Sequence, residues 1–351
     1  MPLPDLLERL LTTPGPSGQE RAAAAVWREA AASVGEVSSD VLGSSWVRVP
    51  GTAGGPSLAL VGHIDEIGVV VTHLGDDGLA AVRPIGGFDP HVMLGQRVDV
   101  LARGGSVAGV VGSRHQKRKR GEDRKALDHD DLFLDVGAKD GKELRGLIRP
   151  GDSVVWHGAP LALHGERVAS RSFDNRIGCY VALEAARRIA ERGGGPGDVI
   201  AVAAVLEEVG DFAGSRTAAF ATEPEVALAI DVTRATDIRG GDHEAEGKIF
   251  LGGGPTLTRG PLLHPDVFEL LHDTAEAEGI PFTLEVSRAD TYTDADAVYL
   301  SRRGVPTGLV SIPLRYMHSP VETADLADIE GAVRLIAAFA LRLEPGLSFT
   351  G

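Results

Sequence analysis

The chain has 351 residues and carries 35 Lys and Arg against 50 Asp and Glu, a formal charge of −15 at pH 7 that disfavours binding to nucleic acid and other polyanions. With 43% apolar and 24% charged residues it has the composition of a globular protein long enough for two domains, which excludes disordered and fibrous classes. Its apolar runs, such as Val199 to Leu206, fall far short of the roughly 20 residues a membrane helix needs, so no membrane partner is expected.

The N-terminus, Met1-Pro-Leu-Pro-Asp5, has no basic segment leading into an apolar one, and the single Cys179 cannot form an internal disulfide; together they predict a cytoplasmic protein. Ser17-Gly-Gln-Glu20 has the spacing of a capping box ahead of an alanine-rich helix over Arg21 to Ala32. Short apolar runs then lead into polar groups. Ser57 to Val61 precedes Gly62-His63, Val199 to Leu206 precedes Glu207-Glu208, Val226 to Ile230 precedes Asp231, and Thr307 to Ile312 lies shortly before His318. Each predicts a strand buried on both faces, as in a parallel sheet covered by helices at Arg176 to Arg192, Phe212 to Ala221, Asp266 to Glu278 and Asp325 to Leu343. From about Val70 to Ala162, short alternating runs separated by glycine-rich turns replace the helical pattern. The expectation is a mixed-sheet α/β/α sandwich formed by residues 1–69 and 165–351, with a small β-rich domain inserted at 70–164.

Open α/β sheets place their sites beyond the carboxyl ends of strands, so the groups that follow these runs would converge on one crevice. His63 and Asp65, two residues apart, share a strand face, and the carboxylate can orient one imidazole nitrogen while the other is left for a metal. Asp174 lies where a strand meets a helix, and taken alone it is an N-cap. Glu207 and Glu208 are harder to account for without a cation, because adjacent carboxylates at a buried strand end repel each other. One of them can hold metal while its neighbour faces a substrate water. With Asp231 and His318 the set holds two His and several carboxylates without Cys, which suits two divalent ions such as zinc, cobalt or manganese. The basic run Arg114-His-Gln-Lys-Arg-Lys-Arg120 reads as a solvated loop of the insertion, or a contact to an acidic neighbouring subunit, before a nucleic-acid patch. Cys179 reads as core packing.

These residues resemble the M42 metallo-aminopeptidases, the glutamyl aminopeptidase and FrvX-like relatives that build tetrahedral (TET) shells. The resemblance spans nearly the whole chain and rests on His63-Ile-Asp-Glu-Ile-Gly68, Asp174-Asn-Arg-Ile-Gly178, Glu207-Glu-Val-Gly210, Asp231, Gly252-Gly-Gly-Pro255, Thr293-Asp-Ala295 and Pro313-Leu-Arg-Tyr-Met-His-Ser-Pro-Val-Glu322. It implies that Asp174 bridges two ions, that His63 and Asp231 complete one and Glu208 and His318 the other, that Glu207 is the general base, and that Asp65 orients His63. It further implies a PDZ-like dimerisation domain as the insertion, dimers assembled into a dodecamer, and short peptides with a free N-terminus as substrates. The chain departs from the family pattern at Asn175, where a second Asp is usual, at Asp211-Phe-Ala-Gly-Ser215, which delays Arg216, and at Gly253 or Gly254, where a Lys is expected. The nearest alternative is an M20-type amidohydrolase, a deacylase or carboxypeptidase, but its extra domain normally follows the Glu-Glu pair. A β-glucanase leaves His63 and His318 unexplained, and a catalytically silent binding protein is the remaining class.

Overall fold

A computed structural model describes residues 2–114 and 126–349, so the basic run of the insertion lies, apart from Arg114, outside the described residues. The four apolar runs form the centre of an eight-stranded sheet. From edge to edge its strands are Val37–Ser39, Ser45–Val49, Val199–Ala204, Leu58–His63, Val226–Arg234, Thr307–Leu314, Thr256–Arg259 and Thr283–Val286. The middle four are mutually parallel, whereas Ser45–Val49 and Thr256–Arg259 join them antiparallel, which makes the sheet mixed.

Alternation along the strands explains why the runs are apolar throughout. Leu58 and Leu60 face a core shared with the helices Phe173–Glu191 and Leu326–Leu341, while Ala59 and Val61 face a second core containing Ala218 and Ala219 of the helix Ala213–Thr222. Both faces are covered, so a polar side chain is tolerated only where the strand leaves the sandwich. At that end Gly62 meets the helix Phe173–Glu191 so closely that a Cβ would lie 2.5 Å from the Gly178 carbonyl carbon. Two helix ends differ from expectation. Glu20, not Ser17, occupies the N-cap position of Arg21–Ala31, because the Ser17 hydroxyl donates to the buried Asp65 carboxylate at 2.7 Å and the Glu20 carboxylate accepts the Gly18 amide. Asp174 is not a cap either: it and Asn175 have non-helical backbone angles, and the Asn175 side-chain oxygen accepts the Gly178 amide at 2.9 Å.

The inserted β-rich unit is a closed barrel of the strands Gly68–Leu74, Leu79–Ile85, Leu132–Asp135, Gly105–Ser113, Arg97–Ala102 and Ser153–Trp156. It has its own core, with Val71, Val82, Val100, Leu134 and Val154 among its buried side chains. The next strand, Leu161–Ala162, already pairs with Arg167–Ser170, which pairs in turn with Glu322–Asp325 in a small antiparallel sheet beside the sandwich.

Gly62→Ala should destabilise the fold by about 1–3 kcal/mol, because the added methyl must displace helix backbone and not a movable side chain. Gly104→Ala, whose Cβ meets nothing within 4 Å, is the control. Urea unfolding midpoints of the two variants check this, and equal midpoints would contradict it.

Candidate metal centre

Strand register assembles the site. Ala229 pairs with Val61, so Asp231 lies level with His63 on the neighbouring strand, and Ala204 pairs with His63 on the other side, which puts Glu207 and Glu208 in the loop just beyond. The strand through Asp231 does not end there but continues to Arg234. Asp174 arrives from the start of its helix and His318 from the loop after Thr307–Leu314, where its φ is 60°. Asp174 lies between the two imidazoles: its Oδ1 is 3.2 Å from His63 Nε2 and its Oδ2 is 3.2 Å from His318 Nε2. His63 Nε2 also lies 3.6 Å from Glu207 Oε2 and 4.0 Å from Asp231 Oδ1, and His318 Nε2 lies 3.6 Å from Glu208 Oε2. Three groupings at the site, His63-Asp174-Asp231, Asp174-Glu208-His318 and His63-Glu207-Glu208, each bring their ligand atoms within 4.8 Å of one another, and the first two share Asp174.

Asp65 lies beyond the strand end, and its hydrogen bonds come from the opposite loop and from Ser17. Its Oδ1 accepts the Glu207 amide and its Oδ2 the Glu208 amide, each at 3.1 Å, while Ser17 donates to Oδ2. Its approach to His63 Nδ1, 3.5 Å, is longer than a good hydrogen bond. Three supporting groups were not singled out as functional in the sequence. Glu322 is buried and its carboxylate accepts the backbone amides of both Asp174, at 3.1 Å, and His318, at 2.9 Å. The Gly87 carbonyl, from the loop after the barrel strand Leu79–Ile85, meets His318 Nδ1. Ser17 looks like a helix cap in the sequence, so nothing there marked its hydroxyl as a partner of Asp65.

Burial pushes the carboxyls of Glu207, Glu208 and Asp231 well above their usual range, and the neighbouring carboxylates, Asp174 above all for Glu208, push in the same direction. Asp294 adds to this field, its own carboxyl pushed up by burial to about 6. Burial acts the same way on Asp174, but the hydrogen bonds from His318 and His63 outweigh it and hold that carboxyl below its usual range. Burial also opposes charging of His63 and His318, yet Glu207 and Asp174 raise the first and Asp174 the second. His63 Nδ1 and Glu208 Oε1 are buried without a hydrogen-bond partner. Imidazole and carboxylate donors, crowded, buried and partly unpaired, fit divalent cations.

A pH dependence follows for the protein stripped of metal. The groups shifted upward bind protons more tightly folded than unfolded, so stability falls as pH rises from the ordinary carboxylate value of 4.5 through the raised values. Asp174, shifted downward, acts in the opposite sense only below its ordinary 3.8. The chelated protein should therefore have a lower Tm at pH 8 than at pH 5.5, and zinc should raise Tm more at pH 8. A zinc effect independent of pH, read by calorimetry, would refute this.

The cluster opens into a cleft of about 600 Å³ whose wall includes Thr233, Arg234, Glu285 and Tyr292. The family profile described as M42 glutamyl aminopeptidase matches residues 43–335. The chain is 34% identical to the lysyl aminopeptidase of Pyrococcus furiosus, over 99% of each chain. Its fold matches the crystal structure of a TET aminopeptidase from a marine sediment thaumarchaeote with a TM-score of 0.92 and 32% identity, covering 97% of both chains. It also matches the Pyrococcus horikoshii TET1 peptidase, which can assemble into a tetrahedron or a large octahedral shell, with a TM-score of 0.84 and 29% identity over 96% of this chain and 99% of that one. By these matches, which run from the sheet through the inserted barrel to the His318 loop, the chain belongs to the M42 glutamyl aminopeptidase family.

Proposed function

We propose that this protein is a di-metal aminopeptidase that removes single residues from short peptides with a free N-terminus. The observation that carries the reading is Asp174, whose two oxygens each face a different imidazole at 3.2 Å, the disposition required of a carboxylate shared by two cations. Asp231 stands with His63, and Glu208 with His318, so the first pair would hold one ion and the second pair the other, with Asp174 serving both. Zinc, cobalt and manganese all accept such donors. When bound, the ions supply Lewis acidity toward the scissile carbonyl and lower the pKa of the attacking water.

Glu207 is the general base in this reading. It is 8% exposed and faces the same cleft, where its carboxylate takes a proton from the attacking water and delivers it to the leaving amine. Asp65 positions the machinery, since the amides of Glu207 and Glu208 both end on its carboxylate. The barrel precedes the Glu207-Glu208 pair in the chain, which speaks against the M20-type amidohydrolase. We assign residues 1–69 and 165–351 to catalysis and 70–164 to pairing of subunits in a homo-oligomer, with dimers assembling to a dodecamer in the cytoplasm. On the barrel strand Gly105–Ser113, Val110 is 49% exposed, an apolar surface that pairing would cover.

Metal-loaded protein should release single residues from free N-termini, and N-acetylation should suppress the reaction because the site's amine-binding group is left unpaired. Equal cleavage of acetylated peptides, preference for N-acyl amino acids, or release of sugar from a β-glucan would each refute the reading. Glu207→Gln should keep its metal and lose about 10²–10⁴-fold in kcat, whereas Asp174→Asn should lose metal, read by elemental analysis. Sedimentation velocity checks the assembly: a monomer at every concentration would overturn the pairing, and a dimer would overturn only the dodecamer.

A further inference from the structure

One carboxylate on the cleft wall has no task in the mechanism above. Glu285 lies on the edge strand Thr283–Val286 between Leu284, 49% exposed, and Val286, 73% exposed, and by alternation it turns away from the face they present. Its Oε1 accepts the Thr233 hydroxyl at 2.7 Å and its Oε2 accepts the Thr258 hydroxyl at 2.9 Å. Those hydroxyls come from two other strands, so the half-buried carboxylate is fixed in place. Among the described residues it has these hydroxyl partners but no ion pair with Lys, Arg or His. A fixed, partly desolvated negative charge without a counter-ion, in the wall of a substrate cleft, is a preformed seat for a cation.

Its place relative to the metal ligands sets which cation. Thr233 lies two residues past Asp231 on one strand, roughly 7 Å further along. A peptide held by its terminal amine and first carbonyl near Asp231 would therefore present the first side chain to Glu285, within reach of a four-carbon Lys stem or an Arg. We propose that Glu285 selects peptides whose N-terminal residue is Lys or Arg; this rests on the aminopeptidase reading. Glu246, exposed on the same wall, adds a second negative charge. Arg234 also lines the cleft and would favour an acidic residue, but it is exposed and among the described residues its side chain has no anchoring hydrogen bond, so holding an anion there costs the rotamer freedom of a long side chain.

The test is kcat/KM of the metal-loaded protein on Lys, Arg, Leu and Glu amides of a fluorogenic amine. Lys and Arg should exceed Leu and Glu by about tenfold or more, the scale of one charge-assisted hydrogen bond. Glu285→Gln should lower kcat/KM for Lys and Arg about tenfold more than for Leu. Thr258→Val, which removes one anchoring hydroxyl at similar volume, should act in the same direction by a smaller factor. Preference for Leu or Glu, or an equal fall on all substrates in Glu285→Gln, would overturn the assignment while leaving the aminopeptidase intact. Hydrolysis of none of the four would overturn it together with the reading beneath it.

Discussion

Asp65, Asp174, Glu207, Glu208 and Asp231 crowd around His63 at the carboxyl ends of the parallel central strands, and all are buried or nearly so. Like charges packed this way oppose folding unless each is neutralised or hydrogen-bonded. The chain meets that demand in different ways at different carboxylates. Glu66, one residue beyond Asp65, is met by two buried arginines: Arg171 pairs with its Oε2, and Arg176 lies 3.3 Å from its Oε1, while both guanidinium groups also donate to carbonyls of the N-terminal segment. Asp65 and Glu322 are met by backbone amides. Among the described residues Glu207, Glu208 and Asp231 receive no arginine, and only Asp231 accepts an amide, that of Val232 at 2.8 Å. A chain that places arginines on Glu66, one residue beyond Asp65, and none of its described arginines on these three has left their charge to be balanced by protons or by metal.

The two imidazoles are prepared for that task by different neighbours. The His318 ring is fixed by the Gly87 carbonyl, a partner that can only accept, so Nδ1 carries a proton and Nε2 is the nitrogen that faces Asp174 and Glu208, where a bound cation would take the place of its proton. His63 instead turns Nδ1 toward the Asp65 carboxylate. Because Gly87 belongs to the inserted unit, the barrel reaches the site directly. Gly86 beside it has a φ of +76°, and a Cβ there would lie 2.5 Å from Ile67, so the loop needs glycine to bring the carbonyl to His318.

What the sequence made legible, and what it hid, divides by the range of the interaction. The central strands were readable because burial on both faces leaves a continuous apolar run, and the polar groups after them stood out against it. Asp231 shows the limit of that rule, since its strand runs on through Val232 and Thr233, both buried. Ser17, Glu322 and Gly87 were not readable as parts of the site, because each acts on a residue distant in sequence or through backbone. Ser17-Gly-Gln-Glu20 satisfies a local pattern, yet a buried carboxylate forty-eight positions away takes the hydroxyl. Donation to a charged acceptor is a strong bond and draws the Ser17 side chain toward Asp65, so the tertiary contact prevails.

Asn175 shows how a departure from the family pattern can be resolved by geometry. Its side chain makes two bonds of opposite sense, donating Nδ2–H to the Ile230 carbonyl at 2.8 Å and accepting the Gly178 amide at 2.9 Å. A primary amide does both without a proton change, which an ionised carboxylate cannot. An ionised Asp there would still cap the helix, but it would face the Ile230 carbonyl with no hydrogen to give, and it would add a negative charge beside Asp174 and Asp231. The amide therefore ties the start of the helix to the strand residue preceding Asp231 while adding no charge. With the cap supplied by Asn175, the Asp174 carboxylate is released from helix duty and can stand between His63 and His318, the placement on which the whole site turns.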